Sequence, residues 1–260
     1  MPRADASLHP VRTSSSERVL EIERGLGYKA RMPNWFHDQR VFWRQFRQEF
    51  HTTGAVLPSG RFLARALARY VGQQSAGQRI LEVGPGTGAV TSQIVPRLGP
   101  EDRLDLVELN AEFVTRLNER FTSEGAFRKA APRARVLHCP VEDLPPDARY
   151  DLVISGLPLN NFAVADVERI LGVITRILRP GGTLSFFEYI AIRPARSLVS
   201  GSAERARLRG IGQAIGRLLG PYEIRRDWIW PNVPPAWVHH VRLPAEGPPH
   251  TDRPDNGRSR

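Results

Sequence analysis

From Arg79 onward the chain alternates short apolar runs, bounded by glycine or proline, with stretches whose apolar residues recur every three or four positions. The runs predict strands near Arg79–Gly84, Arg103–Glu108, Ala134–Cys139, Tyr150–Gly156 and Thr183–Ile192. Helical spacing falls near Ala89–Leu98, Ala111–Thr122 and Val164–Leu178. Strands alternating with helices of that length build βαβ units, so the pattern predicts an α/β fold with a doubly wound parallel sheet. In such sheets ligands bind at the carboxyl ends of the strands. Tyr222–Trp230 and Trp237–Leu243 read as a closing antiparallel hairpin, which makes seven strands.

Two amphipathic segments precede the first strand. In Asn34–His51, Trp35, Phe36, Phe42, Trp43, Phe46 and Phe50 form an aromatic stripe opposite Arg40, Arg44 and Arg47. Such a helix either packs its stripe on the sheet or lies in the plane of a membrane interface. Pro58–Val71 sets Phe62, Leu63, Leu67 and Tyr70 opposite Arg61, Arg65 and Arg69. Beyond the fifth strand, Arg193–Arg226 carries eight arginines, with Leu208, Ile211, Ile215, Leu218 and Leu219 at helical spacing. Gly210, Gly212 and Gly216 lower its helix propensity, so this stretch is expected to be mobile. Residues 1–32 and 244–260 are polar, charged or rich in proline and read as disordered tails. The division is then amphipathic helices over 33–72 and a catalytic domain over 73–243.

Composition narrows the class. At 260 residues and 41% apolar the chain suits one globular domain with flanks. The single cysteine, Cys139, precludes an internal disulfide, and no Cys/His cluster has metal-ligand spacing, so no metal is expected and a reducing cytoplasm fits. No export signal or spanning helix is expected either. The formal charge of +10 is unevenly placed: 13 basic residues against 6 acidic in 1–80, 11 against 14 in 101–190, and 12 against 6 in 191–260. Basic flanks on an acidic core point to an anionic surface as partner, either a bilayer or a nucleic acid, unless they reflect a general bias toward arginine.

The chemistry concentrates in Leu81-Glu82-Val83-Gly84-Pro85-Gly86-Thr87-Gly88, between the first strand and the first helix. Glycines there allow close backbone approach, and a helix start offers free N–H donors. Glu108 stands 24 residues after Gly84, at the end of the second strand, where a carboxylate accepts both ribose hydroxyls.

This pair resembles the class I S-adenosylmethionine-dependent methyltransferases, whose motif reads E/D-x-G-x-G-x-G, over about Gly77–Leu243. The resemblance implies a Rossmann-like sheet and S-adenosylmethionine (SAM) as cofactor. Gly84, Gly86 and Gly88 would line its methionine part, Glu82 would orient that part through its ammonium, and Glu108 would hold the ribose. Cys139-Pro140-Val141-Glu142-Asp143-Leu144-Pro145 matches the segment that borders adenine, with Pro140 in place of the usual aspartate. The adenine amino contact therefore shifts to Glu142, with Val141 packing on the ring. Ser155, at the end of the fourth strand, would meet the methyl donor.

The loop Ser155-Gly156-Leu157-Pro158-Leu159-Asn160-Asn161-Phe162 lacks the amide and stacked aromatic that nucleic-acid amino-methyltransferases use on a poorly basic nitrogen. With Thr52-Thr53-Gly54-Ala55-Val56-Leu57-Pro58-Ser59, it is similar to the bacterial phospholipid N-methyltransferase family, which includes phosphatidylethanolamine and ornithine-lipid enzymes. That resemblance implies a primary-amine lipid substrate, one or more N-methylations, and peripheral binding to the inner face of the cell membrane. It implies no nucleic-acid or obligate protein partner. Asn34–His51 then stands where the family has its membrane-binding helix. Glu188 and Tyr189 would face the acceptor, with Asn160 or Asn161 positioning the head group; the segment around them departs from the phosphatidylethanolamine enzymes and tilts the reading toward ornithine lipid. None of the seven histidines is placed for base catalysis: His138 lies within a strand, and His239 and His240 alternate faces in the last one. An rRNA or nucleic-acid N-methyltransferase is the alternative, carried by the basic flanks.

Overall fold

The computed structural model describes residues 58–74, 77–189, 202–219, 221–230, 232 and 235–245. Asn34–His51, most of the two tails and the Thr52–Leu57 part of the threonine-glycine segment lie outside the described residues. The described chain runs α1 (Pro58–Leu67), β1 (Arg79–Val83), α2 (Thr91–Ile94), β2 (Arg103–Val107), α3 (Ala111–Ser123), α4 (Gly125–Ala130) and β3 (Ala134–Leu137). It continues through β4 (Tyr150–Ser155), α5 (Val164–Ile177), β5 (Leu178–Tyr189), α6 (Ser202–Leu219), β6 (Glu223–Ile229) and β7 (Ala236–Arg242).

The seven strands form one sheet in the order β3-β2-β1-β4-β5-β7-β6. β1 to β5 run parallel, and β7 joins β5 antiparallel with β6 on the outer edge. Chain order reverses between β1 and β4, which opens a crevice at the carboxyl ends of those two strands. The expected seven-stranded α/β sheet with a closing antiparallel hairpin is therefore present.

Side-chain alternation in the strands decides what each face carries. On one face, Ile80, Leu104, Leu106, Leu152, Ile154, Phe187 and Val238 meet Leu67, Ile94, Leu117 and Phe127 from the flanking helices in a single apolar cluster. On the other face α5 lies along β5, and α6 packs on α5 and touches β7. Asn110 caps α3 by accepting from the Glu112 N–H at 2.9 Å.

Three boundaries differ from the sequence pattern for physical reasons. The first expected helix is shorter, four residues of α2 followed by a 3-10 turn over Val95–Arg97, because Pro96 removes a backbone donor there. β5 begins at Leu178, five residues early, passing through Gly181 at φ +74°. α6 is an 18-residue helix where mobility was expected. Leu208, Ile211 and Ile215 are buried along it, and a Cβ at Gly210 would meet Val164 Cγ2 at 2.8 Å. Gly210 thus permits close crossing of α5 and α6 rather than loosening the helix.

Candidate active site

The glycine loop leaves β1 with three left-handed residues, Gly84 (φ +69°), Gly86 (φ +57°) and Gly88 (φ +83°). Side chains are strained in that region, so the sequence places glycine at each. A Cβ on Gly84 would meet Leu157 Cδ2 at 2.5 Å and one on Gly88 would meet Arg120 Nη1 at 2.5 Å, whereas one on Gly86 would meet nothing within 4 Å. Gly86 is therefore the point where the loop borders open space. The Gly84 N–H donates to the Val107 carbonyl at 3.0 Å, and the Gly156 N–H donates to the Val83 carbonyl at 2.8 Å. The ends of β1, β2 and β4 are tied together by these backbone bonds.

Two carboxylates flank the loop. Glu82 is fully buried in β1 and accepts from the Thr91 hydroxyl of α2 at 2.7 Å through Oε2, while its Oε1 is buried with no partner. Burial, opposed by the Thr91 bond and reinforced by neighbouring Glu108, pushes the Glu82 carboxyl up to about 8. A buried carboxyl oxygen without a donor costs free energy, and a cationic group at that oxygen relieves it. Glu108 follows β2 and accepts from the Gly86 N–H at 3.0 Å and the Asn110 N–H at 2.8 Å. Its pKa is raised by burial despite those donors. Each of its oxygens keeps a lone pair for a hydroxyl.

The structure thus brings Glu82, Gly84, Gly86, Gly88 and Glu108 to one end of β1 and β2. An orphaned carboxyl oxygen beside an open glycine and a second carboxylate fit a ligand carrying an ammonium and a diol, as SAM does. Arg120 of α3 completes this side, donating to the Thr87 and Gly88 carbonyls at 2.7 and 2.9 Å and stacking over Phe127. No local motif marks Arg120; it reads as one more basic residue on an amphipathic helix.

Of the adenine-side residues, Glu142 is engaged away from the expected contact. Val141 is buried in a 3-10 turn over Val141–Asp143, while the Glu142 side chain turns to α5 and pairs with Arg169 at 3.1 Å. Arg169 also holds Asp166 at 2.6 Å, so Glu142 serves the turn-to-helix contact. Ser155 is buried, and its hydroxyl accepts weakly from the Leu157 N–H at 3.4 Å within its own loop.

Where the acceptor was expected, Leu157, Leu159, Asn160 and Phe162 of the loop after β4 are all buried. Arg207 of α6 donates to the Asn160 and Phe162 carbonyls at 3.1 and 2.6 Å and fixes this loop from outside. Glu188 and Tyr189, expected to face the acceptor together, lie on opposite faces because they are consecutive in β5. Tyr189 packs edge-on to Phe187 toward the apolar cluster, and burial pushes its phenol up to about 12. Glu188 lies on the other face, with its Oε2 4.0 Å from His239 Nε2. His239 Nδ1 meets Glu223 Oε1 at 2.8 Å. His239 therefore belongs to this corner, although its sequence position read as structural. Among the described residues no group of His, Cys, Asp or Glu is arranged to hold a metal ion.

Comparison with known proteins fits this geometry. Residues 80–182 match the Methyltransferase domain model. Ornithine lipid N-methyltransferase from Singulisphaera acidiphila is 27% identical over 145 residues, which are 56% of this chain and 74% of that protein. The ubiquinone/menaquinone biosynthesis C-methyltransferase UbiE of Stutzerimonas stutzeri is 30% identical over 125 residues. That match takes in 48% of this chain and 46% of UbiE, so the chain spans less than half of that relative. In fold, the chain is similar to Burkholderia thailandensis 1,6-didemethyltoxoflavin-N1-methyltransferase, solved with its substrate and S-adenosylhomocysteine. The TM-score is 0.55 and the identity 16%, over 84% of this chain and 93% of the other. Residues 80–182 thus match a methyltransferase domain, the surrounding sheet has the class I methyltransferase fold, and SAM is the cofactor.

Proposed function

We propose that this class I SAM-dependent methyltransferase N-methylates the primary amine of a membrane lipid head group, with ornithine lipid favoured over phosphatidylethanolamine. The observation that carries the reading is the acceptor corner: the carboxylate of Glu188 near the end of β5, a strand in contact with the loop after β4, whose Leu157, Leu159 and Phe162 are buried. A carboxylate set close to a buried apolar loop suits an amine borne on an apolar molecule. The match to an ornithine lipid N-methyltransferase, over most of that protein's length, supports the same substrate class.

The bound cofactor supplies an electrophilic methyl group on a sulfonium. Glu82 and the glycine loop hold its methionine end, Glu108 its ribose, and Val141 borders the base. Asn160, in a loop clamped by Arg207, and Glu188 orient the amine nitrogen for in-line attack, so the protein acts mainly by alignment and exclusion of water. Because Glu188 is an anion, it favours the amine as it becomes cationic on methylation.

The lipid reading places the enzyme at the cytoplasmic face of the cell membrane. No described helix is long and apolar enough to cross one. Support for peripheral binding comes from the arginine-rich flanks and from the outer hairpin, where Trp228 and Trp230 are 58% and 68% exposed. Tryptophan at such positions favours the bilayer interface.

Labelled SAM incubated with the full chain and vesicles of ornithine lipid or of phosphatidylethanolamine tests the reading. Label is expected in the ornithine-lipid extract. Label only in phosphatidylethanolamine reverses the head-group preference, and label in neither, with SAM still bound, overturns the lipid assignment in favour of an RNA or quinol acceptor.

A further inference from the structure

His239 and His240 are neighbours in β7 with opposite chemistry. His240 is fully buried, its Nδ1 2.8 Å from the Ser185 hydroxyl and its Nε2 3.3 Å from Asp227, with its ring edge-on to Tyr70. Burial holds its pKa down to about 4, so it stays neutral and every polar atom is used. His239, on the other face, stacks on Phe186 with ring centroids 5.2 Å apart. Its Nδ1 is engaged by Glu223, whose carboxylate is held in turn by Arg226 at 2.7 and 3.0 Å. Its Nε2 is buried with no hydrogen-bond partner.

That orphan is informative because buried ring nitrogens in folded proteins are normally satisfied. With Nδ1–H donated to the Glu223 carboxylate, the imidazole is fixed in the tautomer whose Nε2 carries a lone pair. This is the arrangement of a base oriented by a carboxylate. Glu188 Oε2 lies 4.0 Å from that lone pair, too far for a direct bond. One amine nitrogen spans such a gap, making hydrogen bonds of about 2.8–2.9 Å to both atoms. The strand register agrees: His239 pairs with Phe186, and Phe186 pairs with Ser155, the last residue of β4 beside the crevice.

We propose that His239 is the base that takes a proton from the acceptor's ammonium, with Glu223 orienting its ring and Glu188 holding the nitrogen. The proposal rests on the amine-acceptor reading above. An ammonium N–H passes its proton to Nε2, giving a neutral amine and an imidazolium. The amine lone pair then forms the N–C bond to the methyl group as the S–C bond breaks, its electron pair staying on sulfur. The imidazolium proton leaves to solvent before the next turnover. The charged groups facing the ring are Glu188 from β5 and Glu223 and Arg226 from β6.

The test compares wild type, His239→Gln and Glu223→Gln with labelled SAM and ornithine-lipid or phosphatidylethanolamine vesicles between pH 6.5 and 9.5, alongside SAM affinity and the 15N spectrum of the histidine rings. His239→Gln is expected to lower kcat by about 100-fold or more near pH 7 with unchanged SAM affinity. The deficit should shrink about tenfold per pH unit as alkaline solution deprotonates the amine directly, a rescue that a packing role would not produce. Glu223→Gln should give a smaller kcat loss with KM unchanged. A deficit equal at every pH, or one matched by lost SAM affinity, overturns the proposal. If wild type labels neither lipid, the substrate reading fails, and the ring spectrum decides the base separately: protonation at Nδ1 supports it, and protonation at Nε2 overturns it.

Discussion

In the proposed reading, the two ends of the crevice meet the same requirement, a carboxylate facing a cation, by different physics. On the β3-β2-β1 side, Glu82 and Glu108 come from short segments beside the glycine loop, and Glu108 is held by backbone N–H groups of Gly86 and Asn110. On the β4-β5-β7-β6 side, Glu188, Glu223 and His239 come from three strands, and Arg226 and Glu223 hold the histidine through side chains while Arg207 clamps the neighbouring loop by its carbonyls. Main-chain positioning makes the cofactor side insensitive to most surface substitutions. Side-chain positioning leaves the acceptor side open to change in substrate without loss of the cofactor.

The sharpest way to break the comparison is to remove charge from the cofactor side alone. Glu82→Gln should weaken SAM binding by on the order of 100-fold or more, since truncating one partner of a buried charge pair costs about 2–5 kcal/mol. Calorimetry on the folded variant checks it. Next comes the seam between the two sides. A Cβ at Gly156 would lie 2.6 Å from the Gly84 carbonyl oxygen, which as backbone does not yield cheaply. Gly156→Ala should therefore destabilise the fold by about 1–3 kcal/mol and weaken SAM binding with it, read from a denaturant midpoint and a titration.

A third prediction uses pH. The Glu82 carboxyl sits at about 8 in the free protein, mainly through burial, so below that pH it carries a proton which a bound ammonium must expel. SAM affinity should rise by up to tenfold per pH unit from about 6 to 8, with release of one proton per ligand, and level off as the ligand's own amino group loses charge near 8. Titrations in two buffers of different ionisation enthalpy measure that proton. The smallest effect belongs to Arg207→Ala, which frees the Asn160 and Phe162 carbonyls. Methyl transfer should fall about tenfold, in line with the loss of charged hydrogen bonds, while SAM affinity holds.

The sequence is most readable where function is local. Glu82 to Gly88 is seven consecutive residues, and Glu108 follows at the end of the next strand, so one pattern locates the cofactor side together with the alternation that builds the sheet. The acceptor side has no such pattern. Glu188, Glu223 and His239 become neighbours only through the β5-β7-β6 register, and a histidine in a strand carries no mark of its free nitrogen. Strand alternation did carry one overlooked signal: residues 188 and 189 cannot share a face, which separates Glu188 from Tyr189. Arg120 and Arg207 were hidden for another reason, since a basic residue on a helix surface reads as solvated until the loop it clamps is in place.

The division of labour is tested most directly by titrating S-adenosylhomocysteine into wild type, Glu82→Gln and His239→Gln side by side. Collapse of binding in Glu82→Gln with wild-type affinity in His239→Gln is the predicted result. Equal losses in both variants would contradict a cofactor side that stands independently of the acceptor side.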